Sequence, residues 1–230
     1  MTAVRAEVFT PEGEGPWPAL VVVSEVWGLN DDMRRIGRRF AAEGYLAVLP
    51  DLYEGRASVR CMVKALWSLR TGRGPAVDGL RALVTQVASR DDATAVGVVG
   101  FCMGGGYALL LGTTTEARVA GVYYGALSSA TDWDALCPVV GGYGARDLSM
   151  RAGHARLKRE LAARDVPHDL VLYPGVGHSY MNEEAAGFMR VLSWPVMRLQ
   201  PDPAAAEDSW QRMLSFFAVH LVPGEVTSAP

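Results

Sequence analysis

The chain predicts an α/β fold: a doubly wound, mostly parallel sheet with helices on both faces, in a single domain. Two observations carry that expectation. Seven short apolar segments recur along the 230 residues, and stretches of helical length and pattern separate most of them. The apolar segments are also Val- and Leu-rich runs without polar alternation, as expected of parallel strands buried on both faces.

In chain order the predicted strands are Val4–Phe9, Ala19–Ser24, Tyr45–Leu49, Ala95–Gly100, Val119–Tyr123, Pro138–Tyr143 and Asp169–Tyr173. Predicted helices span Asp31–Glu43, Ala76–Ser89, Gly104–Gly112, Arg151–Arg164 and Ala204–Leu221. Asn30 offers the first helix an N-cap, Asp31 and Asp32 suit the positive end of its dipole, and Gly44 stops it. Repeated β-α alternation implies right-handed crossovers. Two segments are less regular. Glu54–Pro75 follows a strand end and is expected to form a short helix over the carboxyl edge of the sheet. Met181–Pro203, broken by Pro195, Pro201 and Pro203, reads as an insertion (181–203) that covers the same edge. No linker, repeat or low-complexity stretch interrupts 1–230, so one domain is expected.

Composition narrows the function classes. Half the residues are hydrophobic, enough for a large core, and the net charge of -3 gives no electrostatic reason to expect nucleic acid or an anionic membrane. No apolar run is long enough to span a bilayer, and residues 1–7 lack the apolar region of a secretory signal. The three cysteines are an odd number, with no CxxC or paired Cys/His spacing, so neither a disulfide framework nor a metal site is expected. Cys61 and Cys137 read as small hydrophobes. A reducing, cytoplasmic setting fits this usage.

The chemistry concentrates at Gly100-Phe101-Cys102-Met103-Gly104-Gly105, which directly follows an apolar strand. A strand, a tight turn with a thiol at its tip and an immediate helix form the nucleophile elbow of the α/β-hydrolase fold. Glycines flank the tip because strand and helix cross closely there. The helix N-terminus aims backbone N–H groups at the tip, which favours a thiolate and an oxyanion beside it. Such a nucleophile needs a base, and the base an orienting acid, in the chain order nucleophile, acid, histidine. Asp147 follows one strand end and His178 another, both at the carboxyl edge where open sheets place their sites. Asp147 could instead only cap the next helix. His154, His168 and His220 read as structural or solvated.

Glu25 closes an apolar strand, where a carboxylate is costly unless paired. It reads either as a structural ion pair with Arg34 or Arg35, or as a group that exchanges a proton with the thiol or orients it. The loop after that strand supplies an oxyanion-hole N–H in this fold, which by position is Val26, with Met103 as the second donor. Trp27 and Tyr123 sit where they either line a pocket or fill the core.

With these residues in view, the chain resembles the dienelactone hydrolase family. The matching motifs are Glu25-Val26-Trp27-Gly28-Leu29-Asn30, Gly100–Gly105, Tyr123-Tyr124-Gly125, Gly144–Asp147 and Tyr173–Tyr180. The resemblance implies a cofactor-independent hydrolase of a small lactone or ester that uses a Cys102-His178-Asp147 triad, as in breakdown of chlorinated aromatic compounds. A monomer or small homo-oligomer is expected, with a small lactone or ester as its partner. The resemblance also implies arginines on a substrate carboxylate: Arg60, ahead of Leu66-Trp67, occupies one such position, unless it is simply solvated. The second position holds Asn182, which offers no charged fork. The rival readings are an esterase or thioesterase with the same triad, and a redox-responsive thiol protein that turns nothing over.

Overall fold

A computed structural model describes residues 4–183 and 195–221. Its centre is a seven-stranded sheet of β1 (Ala6–Phe9), β2 (Trp17–Val23), β3 (Leu46–Pro50), β4 (Ala93–Phe101), β5 (Ala117–Tyr123), β6 (Val139–Gly144) and β7 (His168–Tyr173). The strands lie in the order β1-β3-β2-β4-β5-β6-β7. Only the β1–β3 pair is antiparallel. All seven expected strands are present, their ends within two residues of expectation.

The helices are α1 (Asp31–Ala42), α2 (Val59–Thr71), α3 (Pro75–Ala88), α4 (Met103–Leu111), α5 (Arg151–Ala162) and α6 (Pro203–His220). Asn30 caps α1 as expected, its side chain accepting from the Met33 N–H at 3.0 Å. The short helix expected within 54–75 is instead the 13-residue α2. Ser58 Oγ accepts from the Cys61 N–H at 3.2 Å to start it, and Gly72, at φ 64°, ends it. Gly55, Gly74 and Pro75 lie outside those caps.

Successive strand residues face opposite layers. Ala19, Val21 and Val23 of β2 pack with the layer of α2, α3, α4 and α5, while Leu20 and Val22 pack with that of α1 and α6. This two-sided burial explains why the strands read as unbroken apolar runs. From β2 the chain steps outward to β3, then returns across β2 to place β4 on its other flank. The carboxyl ends of β2 and β4 therefore flank the point where the winding direction reverses, and a crevice forms there. No helix among the described residues is long and apolar enough to cross a membrane.

Candidate active site

β4 ends at Phe101 and α4 begins at Met103, which leaves Cys102 alone at the tip of the turn. Its φ of 54° and ψ of −118° are unusual for a residue with a side chain and cost on the order of 1–3 kcal/mol. The surroundings impose them. The Cys102 N–H donates to the Tyr123 carbonyl at 3.0 Å, tying the turn to β5. A Cβ at Gly100 would overlap the Gly104 carbonyl, and one at Gly104 would overlap the Val23 carbonyl. The glycine spacing is thus a packing requirement where α4 crosses β4 and β2. As first residue of α4, Met103 has no acceptor within the helix for its N–H.

His178 follows β7 and Asp147 follows β6, and both are buried. His178 Nδ1 lies 2.5 Å from Asp147 Oδ2. The other carboxylate oxygen, Oδ1, accepts from the Ser149 hydroxyl at 2.5 Å and the Ser149 N–H at 3.0 Å. Asp147 is thereby held in place and is more than a helix cap. Described residues of the 181–203 segment brace both loops: His178 N–H donates to the Met197 carbonyl at 2.8 Å and Leu148 N–H to the Val196 carbonyl at 2.9 Å. Residues 184–194, the middle of the expected insertion, lie outside the described residues.

The link from imidazole to sulfur is not closed. His178 Nε2 is buried without a hydrogen-bond partner. Burial alone would lower the pKa of the imidazole. The negative charge of a Cys102 thiolate, the bond to Asp147 and the polar contact with the Cys102 sulfur outweigh it, and the His178 pKa is pushed up to about 10. Sulfur and imidazole are therefore close enough to interact, though their contact does not have the geometry of a formed hydrogen bond. Catalytic hydrogen bonds in unliganded enzymes are often long and tighten only with substrate in place.

Glu25 departs from the ion-pair reading. Arg34 is taken by Glu7 and Asp31, and Arg35 by Asp32 and Glu183. The buried Glu25 carboxyl instead accepts from the Ser179 hydroxyl at 2.9 Å and the Asn182 amide at 3.1 Å. Burial raises its pKa, against the opposing influence of the His178 charge and these two bonds. An acid whose pKa rises on folding loses stability as pH climbs above its ordinary value of about 4.5. Glu25→Gln is therefore expected to raise the melting temperature at pH 7 by about 2–4 °C, taking the relief as on the order of 1 kcal/mol. The gain should vanish below pH 4.5, where the wild-type carboxyl is protonated too. Asn182 Oδ1, buried without a donor, gives the new amide a partner. Thermal melts of both proteins across this range check the expectation.

The three residues with a substrate-binding reading sit in different settings. Tyr123 is a core residue: it is 1% exposed, stacks on Phe101 at 5.6 Å and donates to the Ser209 carbonyl at 3.3 Å. Its neighbour Tyr124 belongs to the site. Turned out of the strand at φ 40°, Tyr124 sets its ring edge-on to His178 at 5.0 Å and leaves its buried hydroxyl without a partner. Arg60 is exposed on α2, about 140° around the helix from the buried Ala65. Trp27 is 38% exposed and, with Glu25, Asn30, Arg35, Ser179 and Asn182, lines a cleft of about 580 Å³. His154 packs against Tyr143, and Cys137 is half-buried, with desolvation pushing its thiol up to about 12.

Sequence reasoning did not single out Tyr124, Ser149 or Ser179. Ser179 lay within the Tyr173–Tyr180 motif and Tyr124 within the paired tyrosines at a strand end, where alternation cannot say which of the two leaves the strand.

The sheet order, the elbow and the edge where its loops gather define a hydrolase of the α/β-hydrolase fold. The dienelactone hydrolase family model matches residues 4–221, and the chain belongs to that family. It is similar to a "Putative carboxymethylenebutenolidase" of Salmonella typhimurium, 32% identical over 224 residues that span 89% of this chain and 78% of the relative. A protein of the same description from Escherichia coli K12 is 30% identical, over 90% of this chain and 78% of the relative. Among solved structures, a dienelactone hydrolase-like promiscuous phosphotriesterase from metagenomic libraries shares the fold with a TM-score of 0.79. The two are 22% identical, over 94% of this chain and 92% of that one. The protein is a carboxylic ester or lactone hydrolase.

Proposed function

We propose that the enzyme opens a small lactone, or cleaves a small ester, through Cys102 as nucleophile, His178 as base and Asp147 as its orienting acid. The observation that carries this reading is a thiol at a strained elbow, on the same edge of the sheet as a buried, hydrogen-bonded His178–Asp147 pair. The Cys102 thiolate attacks the carbonyl carbon while its proton rests on His178. The oxyanion forms against the N–H groups of Met103 and Val26. The C–O bond then breaks, and the His178 proton passes to the leaving group, on the departing oxygen or on the enolate it forms, which leaves the imidazole neutral. Water gives a proton to His178 as it attacks the thioester, the C–S bond breaks, and the carboxylate product departs. Glu25, bonded to Ser179 and Asn182, tunes the charge around this pair. No cofactor enters the scheme, and a reducing compartment such as the cytoplasm keeps the thiol free.

The relatives' description makes a carboxymethylene butenolide, as in degradation of aromatic compounds, the first substrate to try. One observation favours a second substrate type. Asn182 stands where the resemblance implies an arginine, and its amide is spent on Glu25, so no charged fork meets a substrate carboxylate there. Turnover of cis- and trans-dienelactone against uncharged aryl esters separates the two. Hydrolysis of none of them, together with rapid alkylation of Cys102 by iodoacetamide, would favour the redox-responsive thiol.

A further inference from the structure

Tyr53 lies outside every motif discussed so far, in the loop after β3, and is 6% exposed. Its hydroxyl donates to the Val26 carbonyl at 2.9 Å and lies 4.0 Å from Met103 Sδ. One hydroxyl therefore touches both residues whose N–H groups are assigned to the oxyanion. Its ring also packs against Gly28, where a Cβ would come within 2.7 Å of Tyr53 Cδ2. Gly28 has a φ of 82°, and its N–H donates to the Glu25 carbonyl at 3.0 Å.

These contacts fix the turn from Glu25 to Gly28 plane by plane. The Glu25 carbonyl and the Val26 N–H belong to one trans peptide unit, so the bond from Gly28 sets the direction of that N–H. The next unit carries the Val26 carbonyl, and the Tyr53 hydroxyl holds it. Without that bond the second plane is free to rotate about Val26, and the first is anchored only through Gly28. Asp51 holds the tyrosine's own loop by accepting from the Tyr53 N–H at 3.0 Å and the Gly55 N–H at 2.6 Å.

We propose that Tyr53 is a positioning residue for the oxyanion hole: its hydroxyl and ring hold the 25–28 turn so that the Val26 N–H points at the oxyanion. Burial pushes the hydroxyl up to about 12, so it remains a donor over the working pH range. The inference rests on the proposed thiol mechanism. Oxyanion stabilisation acts in the transition state, so the hydroxyl's loss should appear in kcat and leave KM unchanged.

The test compares wild type with Tyr53→Phe in three assays: aryl-ester kinetics, affinity for a trifluoromethyl ketone, and alkylation by iodoacetamide. The thiol adds to the ketone carbonyl to give a tetrahedral oxyanion, whereas alkylation displaces iodide and forms no oxyanion. A misaimed donor should cost about tenfold in both kcat and ketone affinity, less than the 10²–10³-fold of outright donor removal. KM and the alkylation rate should stay within about twofold. Incorporating 4-aminophenylalanine at position 53 restores a donor at the same place and should recover most of kcat; it also serves if the Phe variant folds poorly. Unchanged kcat and ketone affinity would overturn the inference, as would a parallel loss of alkylation, which signals general damage. A wild type that forms no ketone adduct at Cys102 would overturn the thiol mechanism, and this inference with it.

Discussion

Replacing Cys102 is expected to abolish ester and lactone turnover while leaving the protein at least as stable as before. The thiol sits in a left-handed conformation that a side chain adopts only at a cost, and the crossing of α4 with β4 and β2 enforces it. Cys102→Ala removes the sulfur and keeps the strain, so activity should fall to background with little change in melting temperature. Cys102→Gly removes both. Glycine takes φ near 54° without penalty, so this variant should be inactive and more stable by about 1 kcal/mol. Activity assays with thermal melts of the three proteins test this pairing. An alanine variant with near-wild-type rates would refute the nucleophile, and a glycine variant less stable than alanine would refute the strain.

The next largest effect is expected at Asp147. Its two oxygens hold His178 Nδ1 and Ser149, so Asp147→Asn keeps the shape but replaces an acceptor with an amide that cannot orient the same imidazole tautomer. By analogy with other nucleophile–histidine–acid sites, kcat should drop by about 10³–10⁴-fold. The variant also changes stability with a defined pH dependence. His178 is pushed up to about 10 in the folded protein, above its ordinary value of 6.5. A raised histidine contributes stability that is fully present below pH 6.5 and drains away as pH rises through 10. Asp147 supplies part of that shift, so the melting temperature of wild type should fall more steeply than that of Asp147→Asn between pH 6.5 and 10. Parallel melting curves over this window would count against the charge coupling between carboxylate and imidazole.

The frame of the site was legible in the sequence because its constraints are local. Apolar runs buried on both faces mark the strands, and glycines at 100 and 104 mark a crossing that no side chain tolerates. Cys102, Asp147 and His178 follow strand ends, so their placement along one edge of the sheet followed from the topology. What the sequence did not reveal depends on side-chain direction in three dimensions. Whether Tyr123 or Tyr124 faces His178 turns on one dihedral at the end of β5. The partners of Glu25 come from a loop more than 150 positions away, and the arginines one turn along α1 are already engaged by nearer acids. For Arg60 the sequence left both a substrate contact and a solvated position open, and only the phase of α2 shows that its side chain is exposed. Position in a motif fixes which residues approach the site. It does not fix which way they point.

The covalent step is the central claim, and trapping it is the most direct test. The protein is mixed with an activated aryl ester, quenched in acid within the first turnover, and analysed by intact mass and peptide mapping. The account predicts one added acyl group per chain, carried as a thioester on Cys102, absent from Cys102→Ala and accumulating in a variant with His178 replaced by alanine if acylation still proceeds. Ester hydrolysis with no acyl group on Cys102 at any time, or an acyl group carried by another residue that forms and decays at the rate of turnover, would contradict it.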